Sequence, residues 1–288
     1  MKIARFFDGQ RTRLGQVDIL RGVVTPLALS NDDTAAFIEA RLAHPGAATA
    51  TAGEAVALDK IKLLAPLVPH RNIICVGKNY RAHAKEFSGS GFEAGAVKGQ
   101  EIDEFPAVFS KPPSTVIADG ETVDLHPTAT QAVDYEAELA VIIGQGGRDI
   151  AAADAMKHVF GYTIVNDVTA RDRQKNHKQW FLGKALDTFC PMGPWIVTAD
   201  EIDGANLDIT CHVNGELRQQ ASTRDLIFDI PTLIATISAG LALKPGDVIA
   251  TGTPAGVGIG FTPPRFLKAD DEVVIEVGGI GRLSNRFA

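Results

Sequence analysis

The sequence has little that would place it in a membrane, on nucleic acid or in a disulfide framework. No apolar run approaches the length of a membrane span, and the start, Met1-Lys2-Ile3-Ala4-Arg5-Phe6-Phe7-Asp8, lacks the long apolar stretch of a signal peptide. The expectation is a cytoplasmic protein with no membrane partner. Basic blocks are missing too. Lys and Arg number 28 against 35 Asp and Glu, for a net charge of -7 and a pI near 5.5. Nucleic acid needs a basic face, so it is excluded as a main partner. Cysteine is scarce. Cys75, Cys190 and Cys211 are odd in number, widely spaced and set in apolar or turn surroundings. They read as small core residues rather than as disulfides, thiolate ligands or nucleophiles. Internal repeats and low-complexity tails are absent, and 288 residues suffice for one large domain or a main domain with a small appendage.

What is present centres on Asp134-Tyr135-Glu136-Ala137-Glu138, which runs into the apolar stretch Leu139-Ala140-Val141-Ile142-Ile143-Gly144. β-Branched residues bounded by glycine predict a buried strand, and its period of two puts Glu136 and Glu138 on one face. Two carboxylates aimed at one place repel each other, and burying them unpaired is costly, so a cation is the natural partner. A solvated strand end would accommodate the same pair.

Residues 1–69 read as a small α+β unit. Strand-like pieces at 2–7 and 17–20 flank the Asp8-Gly9 turn, and 34–42 predicts a helix behind the cap candidates Ser30, Asn31 and Asp32. A loop or linker follows at 44–54. This unit shows no catalytic constellation and suits packing or oligomerisation. From residue 70 the character changes. The strand Ile73-Ile74-Cys75-Val76-Gly77 leads into Lys78-Asn79-Tyr80-Arg81-Ala82-His83-Ala84-Lys85-Glu86. On a helix His83 and Glu86 touch, and a carboxylate beside a histidine fixes the ring and favours the imidazolium, the arrangement of a general base. Residues 87–105 lack apolar periodicity and read as a mobile loop, either an active-site lid or plain surface disorder.

Further on, 107–111 predicts a strand stopped by Pro112-Pro113, 120–127 a turn and strand, and 149–160 a helix closed by Gly161. The strand 162–165 ends in Asn166-Asp167, where Asp167 is either a third ligand for the same ion or an Asx turn or cap for 168–174. Lys184 lies in a run rich in glycine, proline and aromatics, as a surface charge or as an ammonium pointing into a pocket. Asn214-Gly215 predicts a type I′ hairpin between 207–213 and 216–219, and Asp229 caps a helix expected over 231–243. A strand at 248–250 enters Thr251-Gly252-Thr253-Pro254-Ala255-Gly256-Val257-Gly258, which lacks the lysine of a phosphate loop. Its amides suit close approach to a ligand carboxylate. Strands at 272–277 and 282–286 close the chain.

Taken in order, Gly77-Lys78-Asn79-Tyr80 with His83 and Glu86, Asp134-Tyr135-Glu136-Ala137-Glu138-Leu139, Gly161-Tyr162-Thr163-Ile164-Val165-Asn166-Asp167-Val168-Thr169-Ala170-Arg171-Asp172, Lys184 with Asp187-Thr188-Phe189, and the glycine-rich run at 251–258 resemble the fumarylacetoacetate hydrolase (FAH) family over about three quarters of the chain. The resemblance implies a mainly β fold with some α: an FAH-type mixed β-sandwich or roll at 70–288, behind the small α+β unit at 1–69, in an assembly that is usually a homodimer. It implies a divalent ion, Mg²⁺ or in some members Mn²⁺ or Ca²⁺, on Glu136, Glu138 and Asp167. Three carboxylates leave about three octahedral positions for water and substrate. It further implies that Lys184 and Gln174 bind or polarise substrate oxygens, that Thr253 holds a substrate carboxylate, and that His83 with Glu86 activates water.

The expected activity is metal-dependent hydrolysis of a C–C bond in a 2,4-dioxo acid or acylpyruvate through a metal-stabilised enolate. The alternative on the same site is oxaloacetate decarboxylation or tautomerisation, or isomerisation of a 2-hydroxy-dienoate, since one scaffold carries both chemistries. A metal-stabilised binding protein without catalysis is the reading from another class, disfavoured by the intact His83 and Glu86.

Overall fold

The structure is a computed structural model that describes residues 1–29, 31–44, 49–92 and 102–288. Ser30, part of the expected linker and residues 93–101 of the expected loop lie outside the described residues. Among those described, a 12-stranded sheet has ten strands along one path. From one edge it runs Val56–Ala57, Val23–Pro26, Thr12–Asp18, Lys2–Phe7, Cys190–Thr198, Val159–Asn166, Ala137–Ile143, Val248–Ala250, Ile73–Gly77 and Ala107–Lys111. The N-terminal strands join edge to edge with the rest, through Lys2↔Val197 and Ile3↔Ile196. A second sheet of four strands runs Glu216–Ser222, Asp208–Val213, Glu272–Val277 and Gly281–Arg286.

The chain is mainly β with a few short helices, and the central strand Ala137–Ile143 explains why. All seven of its residues are buried. Leu139, Val141 and Ile143 pack into the cluster that includes Ile209, Cys211, Val273 and Ile275 of the second sheet. Ala140 and Ile142 face the opposite cluster with Ile3, Phe37, Ile38, Cys75 and Ile196. A strand covered on both faces reads as a continuous apolar run, and each large side chain removed from water contributes about 1.5–3 kcal/mol. The three cysteines are buried and free, and burial pushes the thiol pKa of each up, to about 12 at Cys190. They pack as core residues.

Several local expectations are corrected. The helix near residue 34 spans Thr34–Ala43 and is capped by Asp33, whose carboxylate accepts from the Ala35 and Ala36 amides. Asp32 instead pairs with Arg5 at 2.7 Å. The expected strand at 17–20 lies earlier, at Thr12–Asp18. Residues 120–127 form no strand; Val123 makes one isolated bridge with Phe287. The expected helix at 149–160 is a 3-10 turn at Ala152–His158. Gly161 does not close it but sits inside the strand Val159–Asn166. A Cβ there would lie 2.3 Å from the Val197 carbonyl oxygen, so this glycine serves close strand approach. The helix capped by Asp229 ends at Ser238 rather than 243. The Asn214-Gly215 turn forms as expected, with φ of 51° and 81°.

Candidate active site

The acidic cluster follows from antiparallel pairing. Ala137 pairs with Asn166 and Glu138 with Val165, so the residue just before one strand meets the residue just after the other. The Asp167 amide donates to the Glu136 carbonyl at 2.9 Å, and the Glu136 amide donates to Asn166 Oδ1 at 3.0 Å. Carboxylate oxygens of Glu136, Glu138 and Asp167 lie within 4.8 Å of one another, all three residues buried. Glu136 precedes the strand rather than lying in it, yet the two glutamates converge as period two requires.

Among the described residues, three buried cations surround this cluster. Lys184, ending the short helix Phe181–Lys184, places Nζ 2.7 Å from Glu136 Oε2 and 2.8 Å from Asp167 Oδ2. Lys111, the last residue of its strand, lies 2.6 Å from Asp167 Oδ1. Its ammonium also donates to the Val168 carbonyl at 2.9 Å and to the Lys184 carbonyl. Arg171 reaches Glu136 Oε1 at 2.7 Å and Asp134 Oδ2 at 2.8 Å. Burial works against the charge on Glu136, but Lys184 and Arg171 outweigh it and hold its pKa down at about 2. Burial, with repulsion from Asp167 and Glu136, pushes Glu138 well up. Among the described residues Glu138 has no ion pair, and its Oε2 accepts only the Gly252 amide, at 2.8 Å.

This donor set fits a divalent cation. Among the described residues, Glu136, Glu138, Asp167 and Asp134 form ion pairs with Lys111, Lys184 and Arg171 alone, so there four buried acids meet three buried bases. Asp167 Oδ1, though close to Lys111, takes no hydrogen bond in good geometry. A surplus of buried acids and a glutamate without an ion pair together call for a cation with a taste for oxygen.

His83 and Glu86 sit on the helix Arg81–Ser88, with Nδ1 3.0 Å from Glu86 Oε2. A carboxylate only accepts, so in the neutral ring Nδ1 carries the proton and Nε2 is the basic nitrogen. Glu86 Oε1 in turn accepts the Gly256 amide at 3.0 Å. The residues before this helix are fastened by Asn79, whose amide donates to the Phe228 and Thr251 carbonyls. The glycine-rich run does grip carboxylates, but they are the protein's own: Gly252 holds Glu138, Gly256 holds Glu86, and Gly258 and Ile259 hold Asp134.

His83, Glu136, Glu138, Gln174, Lys184 and Thr253 line one cavity, together with Val76, Gly77, Lys78, Arg171, Phe87, Phe109 and Trp180. Asp167 joins through the carboxylate cluster and Glu86 through His83. Gln174 Oε1 accepts from Arg171 Nη1 at 3.2 Å, and Thr253 Oγ1 from Gln219 Nε2 at 2.8 Å. Sequence reasoning missed Lys111, Arg171 and Asp134 as site residues. The signal for the last two was their place inside the quoted motifs; Lys111 had only its position before Pro112-Pro113.

Comparison with known proteins agrees with this geometry. The family profile described as fumarylacetoacetate (FAA) hydrolase C-terminal matches residues 72–288. The chain belongs to the FAH family. Residues 1–66 match a second profile, Rv2993c-like, N-terminal. The chain is 53 % identical over 232 residues to oxaloacetate tautomerase YisK of Bacillus subtilis (strain 168), covering 80 % of this chain and 74 % of that protein. It is 45 % identical over 228 residues to the mitochondrial oxaloacetate tautomerase fahd2 of Xenopus laevis, covering 78 % and 68 %. Among solved structures, a fumarylacetoacetate hydrolase from psychrophilic Exiguobacterium antarcticum superposes with TM-score 0.84 at 41 % identity over 100 % of this chain and 99 % of that one. These FAH-family relatives carry enzyme names, and the buried acidic cluster suits a family whose members bind divalent metals. No helix among the described residues is long and apolar enough to cross a membrane.

Proposed function

We propose that this FAH-family chain catalyses keto–enol tautomerisation of a small 2-oxo dicarboxylic acid of the oxaloacetate type. The observation that carries the reading is the His83–Glu86 pair, at 3.0 Å, opening its imidazole onto the cavity that holds Glu136 and Glu138. Two relatives named as oxaloacetate tautomerases, at 53 % and 45 % identity, favour it over hydrolysis, the reading that the motifs alone put first. Glu136, Glu138 and Asp167 would hold the ion, Mg²⁺ by their hard oxygens, which when bound supplies Lewis-acid stabilisation of enolate charge. His83 Nε2 takes the proton from C3, and Glu86 stabilises the imidazolium that results. The proton then goes to the C2 oxygen, which completes the enol with no net gain or loss of atoms. Gln174, whose carbonyl already accepts from Arg171, turns its NH₂ to a substrate oxygen. Thr253, already an acceptor from Gln219, has its hydroxyl proton to give to a carboxylate. Lys184 holds Glu136 and Asp167 in place and spreads positive charge toward the enolate.

C–C hydrolysis of an acylpyruvate is the second reading, supported by the structural likeness to a named fumarylacetoacetate hydrolase. There His83 deprotonates water instead of carbon. The test is a panel of oxaloacetate, acylpyruvates and 2-hydroxy-dienoates, followed by ultraviolet absorbance and product analysis, with Mg²⁺ and with chelator. Expected is rapid enol–keto exchange of oxaloacetate that chelator abolishes. Undiminished exchange in chelator would sink the metal role, and acylpyruvate cleavage without oxaloacetate exchange would replace the first reading with the second.

A further inference from the structure

Among the described residues, one cation in the cavity stands apart from the acid cluster. Lys111, Lys184 and Arg171 are all committed to Asp167, Glu136 and Asp134. Lys78 also lines the cavity, with a side chain only 8 % exposed, and its ammonium pairs 2.5 Å away with Asp103. Asp103 belongs to neither the cluster nor the helix of His83. It is 27 % exposed, so water competes for it, and an ion pair of this kind is weak. The backbone at Lys78 is left-handed, with φ of 55°, a costly conformation for a lysine and one that tends to persist where a site needs it.

We propose that Lys78 selects substrates by their second carboxylate, and that Asp103 is the internal carboxylate which a substrate displaces from it. The cavity that Lys78 lines is walled in part by Phe87, Phe109 and Trp180, whose rings pack at 6.0 and 5.3 Å, with Trp180 against Gly77, the residue before Lys78. A carboxylate against such a wall is costly unless a cation meets it. A monocarboxylate leaves the Lys78–Asp103 pair intact, whereas a dicarboxylate exchanges one carboxylate for another at the same ammonium. Charge-assisted contacts of this kind are worth about tenfold or more in affinity.

The inference rests on reading the site as one for 2-oxo acids, so the test measures binding without turnover. L-malate and L-lactate share a 2-hydroxy acid head and differ in the second carboxylate. Each is titrated calorimetrically into the full chain with Mg²⁺. Lys78→Gln, which keeps a similar backbone preference, is expected to weaken malate about tenfold or more and to leave lactate within about twofold. Lys78→Arg restores most of the malate affinity. Asp103→Asn tightens malate by about two- to fivefold. In steady-state assays Lys78→Gln raises KM for oxaloacetate by a similar factor while kcat falls less than about threefold. Equal loss of both ligands in Lys78→Gln, or weaker malate binding in Asp103→Asn, would overturn the proposal and make the pair a structural tie. A malate preference that depends on Lys78 without any oxaloacetate exchange would keep this inference and remove the tautomerase reading. Oxaloacetate exchange with a Lys78-independent preference would do the reverse.

Discussion

The Glu136–Glu138–Asp167 cluster and the His83–Glu86 pair serve one cavity but are held by different means. The cluster is built on paired central strands, with register fixed by Ala137↔Asn166 and Glu138↔Val165 and charges met by three buried cations. The pair rides on an eight-residue helix with no side-chain cap, and among the described residues one loop amide steadies Glu86. Charge at the first place is therefore part of the fold, while geometry at the second is adjustable. Substitutions in the cluster should cost stability and activity together. Substitutions in the pair should cost activity alone.

The largest effect tests the first half of that contrast. Glu136→Ala leaves Lys184 and Arg171 short of a partner in a buried site, and breaking such pairs costs about 3–5 kcal/mol. Turnover is expected to vanish, Tm to fall by several degrees, and added Mg²⁺ to lose the stabilisation it gives the wild type by mass action. Thermal melts with and without Mg²⁺ read all of this. A variant that melts with the wild type and still responds to Mg²⁺ would show that the cluster is not built as argued.

His83→Ala comes next. Losing a positioned general base costs about 10²–10⁴ in rate, and His83 makes no ion pair with the carboxylate cluster. Expected is that loss in kcat with the Mg²⁺-induced rise in Tm retained. If Mg²⁺ no longer stabilises the variant, the two regions form one unit and the contrast fails.

Much of this site was legible because its rules are short-range. Period two brings Glu136 and Glu138 together and three-residue spacing joins His83 to Glu86, whereas Asp167, locally an Asx turn or a ligand, is tied to them only by the order of the family's motifs. Lys111 was illegible because its role depends on the strand Ala107–Lys111 pairing with Ile73–Gly77, which carries it under Asp167. The Asp134–Arg171 pair spans 37 positions in sequence, and no local pattern announces it. Glycine misled twice for one reason: it marks either a turn or a close approach. Gly161 looked like a helix stop and is a close approach between strands. The run 251–258 looked like a cradle for a ligand's carboxylate and holds the protein's own acids.

That last correction gives the finest test of the contrast. Gly260 ends the 3-10 turn Gly258–Gly260, and a Cβ there would lie 1.7 Å from Glu86 Oε1 and 2.3 Å from its Cδ. The obstructed atom is the end of a flexible side chain, so Gly260→Ala should move the Glu86 carboxylate rather than the backbone. Stability should change little. Displacing the carboxylate weakens its hold on His83 Nδ1 and gives up the Gly256 amide. A misplacement on the order of an ångström costs up to about 10²-fold in rate, so a loss of about 10- to 100-fold is expected, smaller than that of His83→Ala. Combining the change with Glu86→Ala separates the causes. If Gly260 acts through Glu86, it adds nothing in that background, as residues sharing one interaction are non-additive. A full additional loss would mean that the turn itself shifts, and that the pair is held as firmly by the fold as the acid cluster is.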